Sequence, residues 1–424
     1  MISTLRNAWR IPELRKKMIF TLLMLFVFRI GSAIPVPYMN KDIIRSIFES
    51  NQGGLLQFMD LMAGGTFSNF SIFATNIYPY ITGSIVIQLL TIAIPKLEEL
   101  AKQGEEGKKK IALYTRITAV ALATIQASGY TFGLFKQALE TSNNIQPIIV
   151  ILSMVAGTSF LIWLGDLITE NGIGNGTSLI IFIGIISALP SNIINAFRLM
   201  AFDSTYIVKF GLFLIVALFI IAAVIRITEG ERRITVQYAK RVVGRKMYGG
   251  QSTHIPIKVL MTGVMPVIFA SSLLAVPQTI AMFNDGGVSE WIVKYLTPQG
   301  SVGVWVYSIF NILLIIFFTY FYTAIQFNTV EYAKNLQQNG GFIPGIRPGR
   351  PTSDYLGKVV NRIVIVGGLA LSVLSILPII LSKIFGMNIN FGGTAIIIVV
   401  GVVLETVKQL EAQLMMRHYK GFLK

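Results

Sequence analysis

Apolar runs of membrane-crossing length alternate with polar and basic stretches along the chain. They predict ten spans: 18–34, 71–94, 111–135, 147–168, 179–197, 207–227, 259–283, 305–327, 363–384 and a last one beginning at Ala395. The last span leaves the membrane partway, because Glu405 follows a short apolar run and the helical pattern continues to Met416. Pro190 is expected to break the fifth span. One stretch departs from the pattern. Residues 55–62 are apolar yet cover only about 12 Å as helix against a hydrocarbon core of about 30 Å, and Ala63-Gly64-Gly65-Thr66 closes them. They dip into the membrane and stop. The span that follows carries Thr75, Asn76, Tyr78, Pro79, Tyr80, Thr82, Ser84 and Gln88, poor chemistry for a surface facing lipid. The stretch reads either as a re-entrant half helix followed by a pore-lining helix, or as a loop helix followed by an ordinary span.

The polar segments add detail. Residues 1–17 are basic, with Leu5, Ala8, Trp9, Pro12 and Leu14 at amphipathic spacing, which predicts an interfacial helix. Arg29, inside the first span, is expected to snorkel or to pair within the bundle. Gly172, Gly174 and Gly176 form a tight turn between spans 4 and 5; no strand precedes them and no lysine follows, so a phosphate loop is excluded. Two long basic excursions leave the membrane. In 228–258 the stretch 232–238 alternates as a strand, and in 328–361 a tip rich in glycine and proline presents Arg347 and Arg350.

Composition places the chain among polytopic membrane proteins, since 53% of residues are hydrophobic and only 13% charged, about half the soluble norm. The absence of cysteine removes disulfides, thiolate metal sites and cysteine nucleophiles. His254 and His418 lie far apart in sequence and read as surface residues. Ten spans put both termini on one face. On this topology that face and its loops carry 28 Lys and Arg against 13 acidic residues, the opposite face 7 against 7, and Arg29 stands alone. By the positive-inside rule the termini and both large loops are cytoplasmic.

Candidate chemistry is sparse. There is no Ser, His and carboxylate set, no metalloprotease helix and no Walker lysine loop. Acidic residues lie in loops or at span ends, which disfavours an intramembrane protease and an ion-coupled transporter. No catalytic, cofactor-binding or metal-binding residue is assigned. A pore remains. Ile81 and Ile85 in span 2, and Ile181 and Ile185 in span 5, are each four apart on one helical face, a spacing that ordinary packing and lipid-facing positions share.

Segments 77–85 with Gln88 and Thr91, then 172–181, 263–272, 342–349 and 391–394, resemble in order the motifs of the SecY family, central subunits of the bacterial protein-conducting translocation channel. The likeness runs from the amino tail to about Met416. It implies an all-α polytopic membrane protein: ten transmembrane helices in two pseudo-symmetric inverted halves, 18–200 and 201–416, around a central pore, with a re-entrant plug helix and a tail at 417–424. By the same resemblance the pore ring is Ile81, Ile85, Ile181, Ile185, Ile268 and Ile398. The plug, 55–67, comprises Leu55, Leu56, Phe58, Met59, Leu61, Met62 and Phe67. The lateral gate between spans 2 and 3 and spans 7 and 8 uses Gln88, Gln126, Ser271 and Ser272, and Arg241, Arg245, Lys246, Arg347 and Arg350 meet a motor or ribosome. Implied partners are the SecE and SecG small subunits, the SecA motor ATPase, the ribosome, preproteins with their signal sequences, and lipid. No cofactor and no direct nucleic-acid recognition is implied. A secondary transporter of a small solute is the alternative.

Overall fold

Helices stand at each of the ten expected positions in the computed structural model: Pro12–Ala33, Tyr78–Ala93, Glu105–Gly129, Gln146–Asn171, Gly176–Phe202, Thr205–Glu229, Met265–Ala281, Gly303–Gln326, Arg350–Ile384 and Gly393–Gly421, here spans 1 to 10. The structure describes residues 2–50, 60, 64–139, 145–202, 205–238, 241–243, 246–248, 252–281, 287–297, 302–384 and 393–421. Spans 3, 4, 6, 8, 9 and 10 are each long and apolar enough to cross a bilayer unaided. Span 1 carries Arg15, Lys16, Lys17 and Arg29, and the apolar parts of spans 5 and 7 are shorter.

Span 2 corrects the sequence reading. Its helix begins at Tyr78, not at residue 71, and covers only about 24 Å. Residues 71–77 lie instead against the end of span 1: Ser71 bridges Pro35, Ile72 N donates to Ile34 O (3.0 Å) and Val36 N to Phe70 O (2.9 Å). Glycines on two neighbours admit this backbone. A Cβ at Gly157 of span 4 would stand 2.0 Å from Ile72 O, and one at Gly31 of span 1 would stand 2.2 Å from the Phe73 ring. Asn76, at φ +51°, accepts from Ile77 N (2.7 Å) just before the helix begins, and the helix itself has no side-chain cap. The polar residues of this stretch thus satisfy backbone inside protein. At the far end Ile94 is extended and Pro95 lacks an N–H, so the chain turns by 101° into the helix Pro95–Lys102.

Other boundaries move as well. Span 5 is helical through Pro190 to Phe202, because a proline removes one hydrogen bond without preventing helix on either side. Spans 3 and 9 start at Glu105 and Arg350 and so project beyond their apolar parts, while span 7 waits until Met265, after a turn with Gly263 at φ +60°. The weak apolarity of span 3 also has a packing cause. Thr115, Ala119, Ala123 and Ala127 form a buried stripe at four-residue spacing, and Gly83 of span 2 lies against the Ala119 backbone. Small residues let the two helices approach closely.

On the face of the termini the helix Ile2–Arg10 buries Ala8 against Ile173 and Leu410, and Thr4 Oγ1 donates to Glu411 Oε1 (3.0 Å). The two excursions share one sheet there. Strand β1 (Glu231–Tyr238) pairs antiparallel with β4 (Ser252–Lys258) and with β5 (Gly341–Phe342), while β2 (Arg241–Val243) and β3 (Lys246–Tyr248) form a separate hairpin. Ile234 and Val236 of β1, together with Ile257, pack on Leu356, Val360 and Val364 of span 9. On the opposite face the helix Lys41–Ser50 brings Ile44 and Phe48 to an aromatic cluster with Phe67, Phe70, Tyr130 and Phe135.

Candidate functional site

Four helices meet around the middle of the bundle. Span 7 touches spans 2 and 10, and span 10 touches span 5, so these helices form a connected wall. From that wall Ile81 and Ile85, Ile181 and Ile185, Ile268 and Ile398 all enter one apolar cluster, each no more than 4% exposed. Branched alkyl groups offer nothing to which water can hydrogen-bond, so their assembly is a dry apolar cluster. Residues distant by more than three hundred positions are brought together here, a convergence that helical spacing alone does not reveal.

The turn after the short apolar run is pinned beside this cluster. Gly64, at φ +72°, lies against the backbone of Gly184, the neighbour of Ile185; a Cβ there would stand 2.5 Å from Gly184 Cα. Arg29 of span 1 donates to Ser187 Oγ (3.2 Å), Gly64 O (3.4 Å) and Ser32 Oγ (3.4 Å), and Ser187 Oγ is 3.1 Å from Gly64 O. The intramembrane arginine is therefore a clip between span 1, span 5 and this turn. Asp60 closes the other side: its Oδ1 accepts from Phe67 N (3.1 Å) and Ser68 N (2.7 Å), and its carbonyl accepts from Gly65 N (3.0 Å). Leu55, Leu56, Phe58, Met59, Leu61 and Met62 lie outside the described residues. Phe67 is described, and it sits in the aromatic cluster of the opposite face, with Tyr130, Phe135 and Phe48 at 4.9, 5.6 and 5.7 Å between ring centres.

The seam between spans 2 and 3 and spans 7 and 8 is polar at intervals. Tyr322 of span 8 donates to Gln88 Oε1 of span 2, whose Nε2 donates to Ser84 Oγ (3.1 Å). Ser271 and Ser272 instead bond back to Val267 O (2.8 Å) and Ile268 O (2.9 Å) of their own helix, and Gln126 Oε1 is buried without a protein partner. Sequence reading missed Tyr322. It also missed Tyr130, which is buried at the end of span 3 and packs edge-on against Phe67. Hydroxyl groups on otherwise apolar spans were the available signal.

On the face of the termini Arg347 and Arg350 are exposed at the excursion tip. The tip is built rather than loose. Gly345 and Gly349 take positive φ, Thr352 Oγ1 donates to Arg347 O (2.9 Å), and Ile343 is buried under the sheet. Arg241 and Lys246 stand on the β2 and β3 hairpin, while Arg245 lies outside the described residues.

The SecY family model matches residues 71–407. The chain is 45% identical to the protein translocase subunit SecY of Halalkalibacterium halodurans over the full length of both. Among solved structures it resembles a protein-conducting channel (TM-score 0.66, 18% identity) and Sec61 in the canine ribosome-channel complex from the endoplasmic reticulum (0.62, 16%), covering 94% of this chain and 92% of each of those.

Proposed function

The chain belongs to the SecY family and is a protein translocase channel subunit, and from that premise we propose how its parts divide the work. The convergence of six isoleucines from spans 2, 5, 7 and 10 on one dry cluster carries the reading. In the closed channel this ring excludes ions by dewetting; around an unfolded preprotein it deforms, since it holds no fixed hydrogen bonds, and it is indifferent to sequence. Residues 55–67 form the plug, held at Gly64 beside the ring. Halves 18–200 and 201–416 hinge between spans 5 and 6 and part along the seam that Gln88, Gln126, Ser271 and Ser272 line, releasing signal sequences and membrane segments sideways into lipid.

The excess of basic residues on the face of the termini supports a cytoplasmic orientation in a bacterial cytoplasmic membrane. Arg347, Arg350, Arg241, Arg245 and Lys246 there suit a ribosome or a SecA-like motor, which hydrolyses the ATP. SecE- and SecG-like subunits complete the complex in the membrane. The family is a translocation channel family and not an enzyme family. A small-solute transporter is not favoured. Vesicles reconstituted with the purified complex, a motor, ATP and an unfolded preprotein test the proposal: protected preprotein inside the vesicles supports it, and solute uptake without preprotein entry overturns it.

A further inference from the structure

A short helix, Gly287–Leu296, lies between spans 7 and 8 on the face opposite the termini. It is fixed to both. Ser289 Oγ donates to Ala281 O and Gln278 Nε2 to Leu296 O (3.1 Å), which ties it to the end of span 7. A Cβ at Gly303, the first residue of span 8, would stand 2.6 Å from Lys294 O and from Thr297 O, so the short helix ends directly against that span. Ser289 and Ile292 face inward and are buried. The outward face is mixed: Trp291 and Val293 are exposed beside Glu290 and Lys294. Trp291 leaves 56% of its surface uncovered, against the usual burial of an indole. Its ring lies 5.5 Å from that of Tyr295, and Lys294 Nζ stands 5.4 Å from the centre of the same Tyr295 ring.

Span 8 gives the depth of this helix. Val302, Trp305, Ile309, Leu313 and Phe317 are exposed at intervals of three and four, so they form one apolar stripe along a helix long and apolar enough to cross a bilayer. From Trp305 to Gln326 the helix rises about 32 Å at about 1.5 Å per residue, close to the hydrocarbon thickness of about 30 Å. With Gln326 at one boundary, Trp305 stands at the other, and the short helix against Gly303 lies level with it. Indoles, and lysines whose apolar stems snorkel, are the side chains that settle at such a boundary.

We propose that the helix Gly287–Leu296 is an interfacial anchor: Trp291, Val293 and Trp305 lie at the edge of the leaflet opposite the termini, and Lys294 contacts the phosphate groups of its lipids. Continuity with the apolar stripe of span 8 selects lipid as the occupant, and the exposed ammonium suits an anionic headgroup. One short helix thereby holds the ends of spans 7 and 8 together at a single depth. The anchor does not depend on the pore or on the plug.

The cysteine-free chain permits a direct test. A spin label on Val293→Cys, an exposed position, is followed in the complex reconstituted in phosphatidylglycerol vesicles, with oxygen as the collision partner in lipid and a nickel chelate as the one in water. The expected result is that oxygen reaches the label more readily than nickel does, at a depth near the headgroups. A label on Ile309→Cys, about 6 Å further along the stripe from Trp305, should lie deeper. Trp291→Ser combined with Trp305→Ser should move the Val293→Cys label toward water, and Lys294→Glu should make it shallower while Lys294→Arg does not. A label open to nickel and closed to oxygen overturns the anchor, because the helix then stands clear of the bilayer. A label closed to both also overturns it, since a protein then covers the face. Depth unchanged by Lys294→Glu overturns the phosphate contact.

Discussion

Tyr322 of span 8 and Gln88 of span 2 are hydrogen-bonded to each other, although 234 positions separate them in the chain. Gln88 is held ready by Ser84, and the Tyr322 ring is packed on Phe269 at 4.9 Å. The bond exists only while spans 2 and 8 are adjacent, so it favours the closed seam and nothing else. Tyr322→Phe removes it while leaving the ring. The loss of one hydrogen bond, about 1 kcal/mol, shifts the equilibrium toward opening about fivefold. Preproteins with weakened signal sequences are therefore expected to cross faster through the variant, measured as protease-protected product in vesicles. Unchanged transport of such substrates would show that the bond does not hold the seam.

Replacing Ile81, Ile85, Ile181 and Ile268 together by serine is expected to raise resting ion conductance, because hydroxyls hold water where alkyl groups exclude it. A single replacement should do less, since the remaining isoleucines still meet. The control is thermal stability: if these residues were packing only, each truncation would cost roughly 2 to 5 kcal/mol and no leak would appear.

Gly64→Ala places a methyl group 2.5 Å from the Gly184 backbone at a φ of +72°, where side chains are strained. The turn must withdraw from span 5, and the expected outcome is leak at rest with the complex still assembled. Arg29→Met removes the clip without adding bulk and should give a smaller leak. Conductance of the two variants in planar bilayers checks the order.

Arg347→Glu is expected to abolish motor-driven transport while the tip keeps its fold, because the tip's bond to Thr352 uses the Arg347 carbonyl and the side chain is exposed. Limited proteolysis should give the wild-type pattern. Normal transport at ordinary motor concentration would remove the arginine from the contact.

What could be read from the sequence followed from short-range spacing. The strand at 232–238 needs only alternation, and β1 spans Glu231–Tyr238. The apolar run at 55–62 stood out because its length contradicts bilayer thickness, yet nothing local foretold that Gly64 rests on Gly184, since that contact joins residues 120 positions apart. The start of span 2 was misplaced for the same reason. Residues 71–77 are apolar enough for helix, and only their pairing with Pro35 and Ile34, together with the space left by Gly31 and Gly157, turns them into a series of turns. Helical spacing paired Ile81 with Ile85 and Ile181 with Ile185, but joining those pairs to each other needed the fold or a resemblance.

The sheet on the face of the termini has a mechanical meaning. Strand β1 follows span 6, β4 leads into span 7, and β5 belongs to the excursion between spans 8 and 9, while the sheet's underside rests on the projecting turns of span 9. Four consecutive helices are thereby trussed at one end. The connection Pro95–Lys102 between spans 2 and 3 has no such brace among the described residues. A partner that pushes on Arg347 consequently does not bend a slack loop. On the proposed function it would meet a stiff platform whose strand β4 runs on into span 7, the helix that carries Ile268.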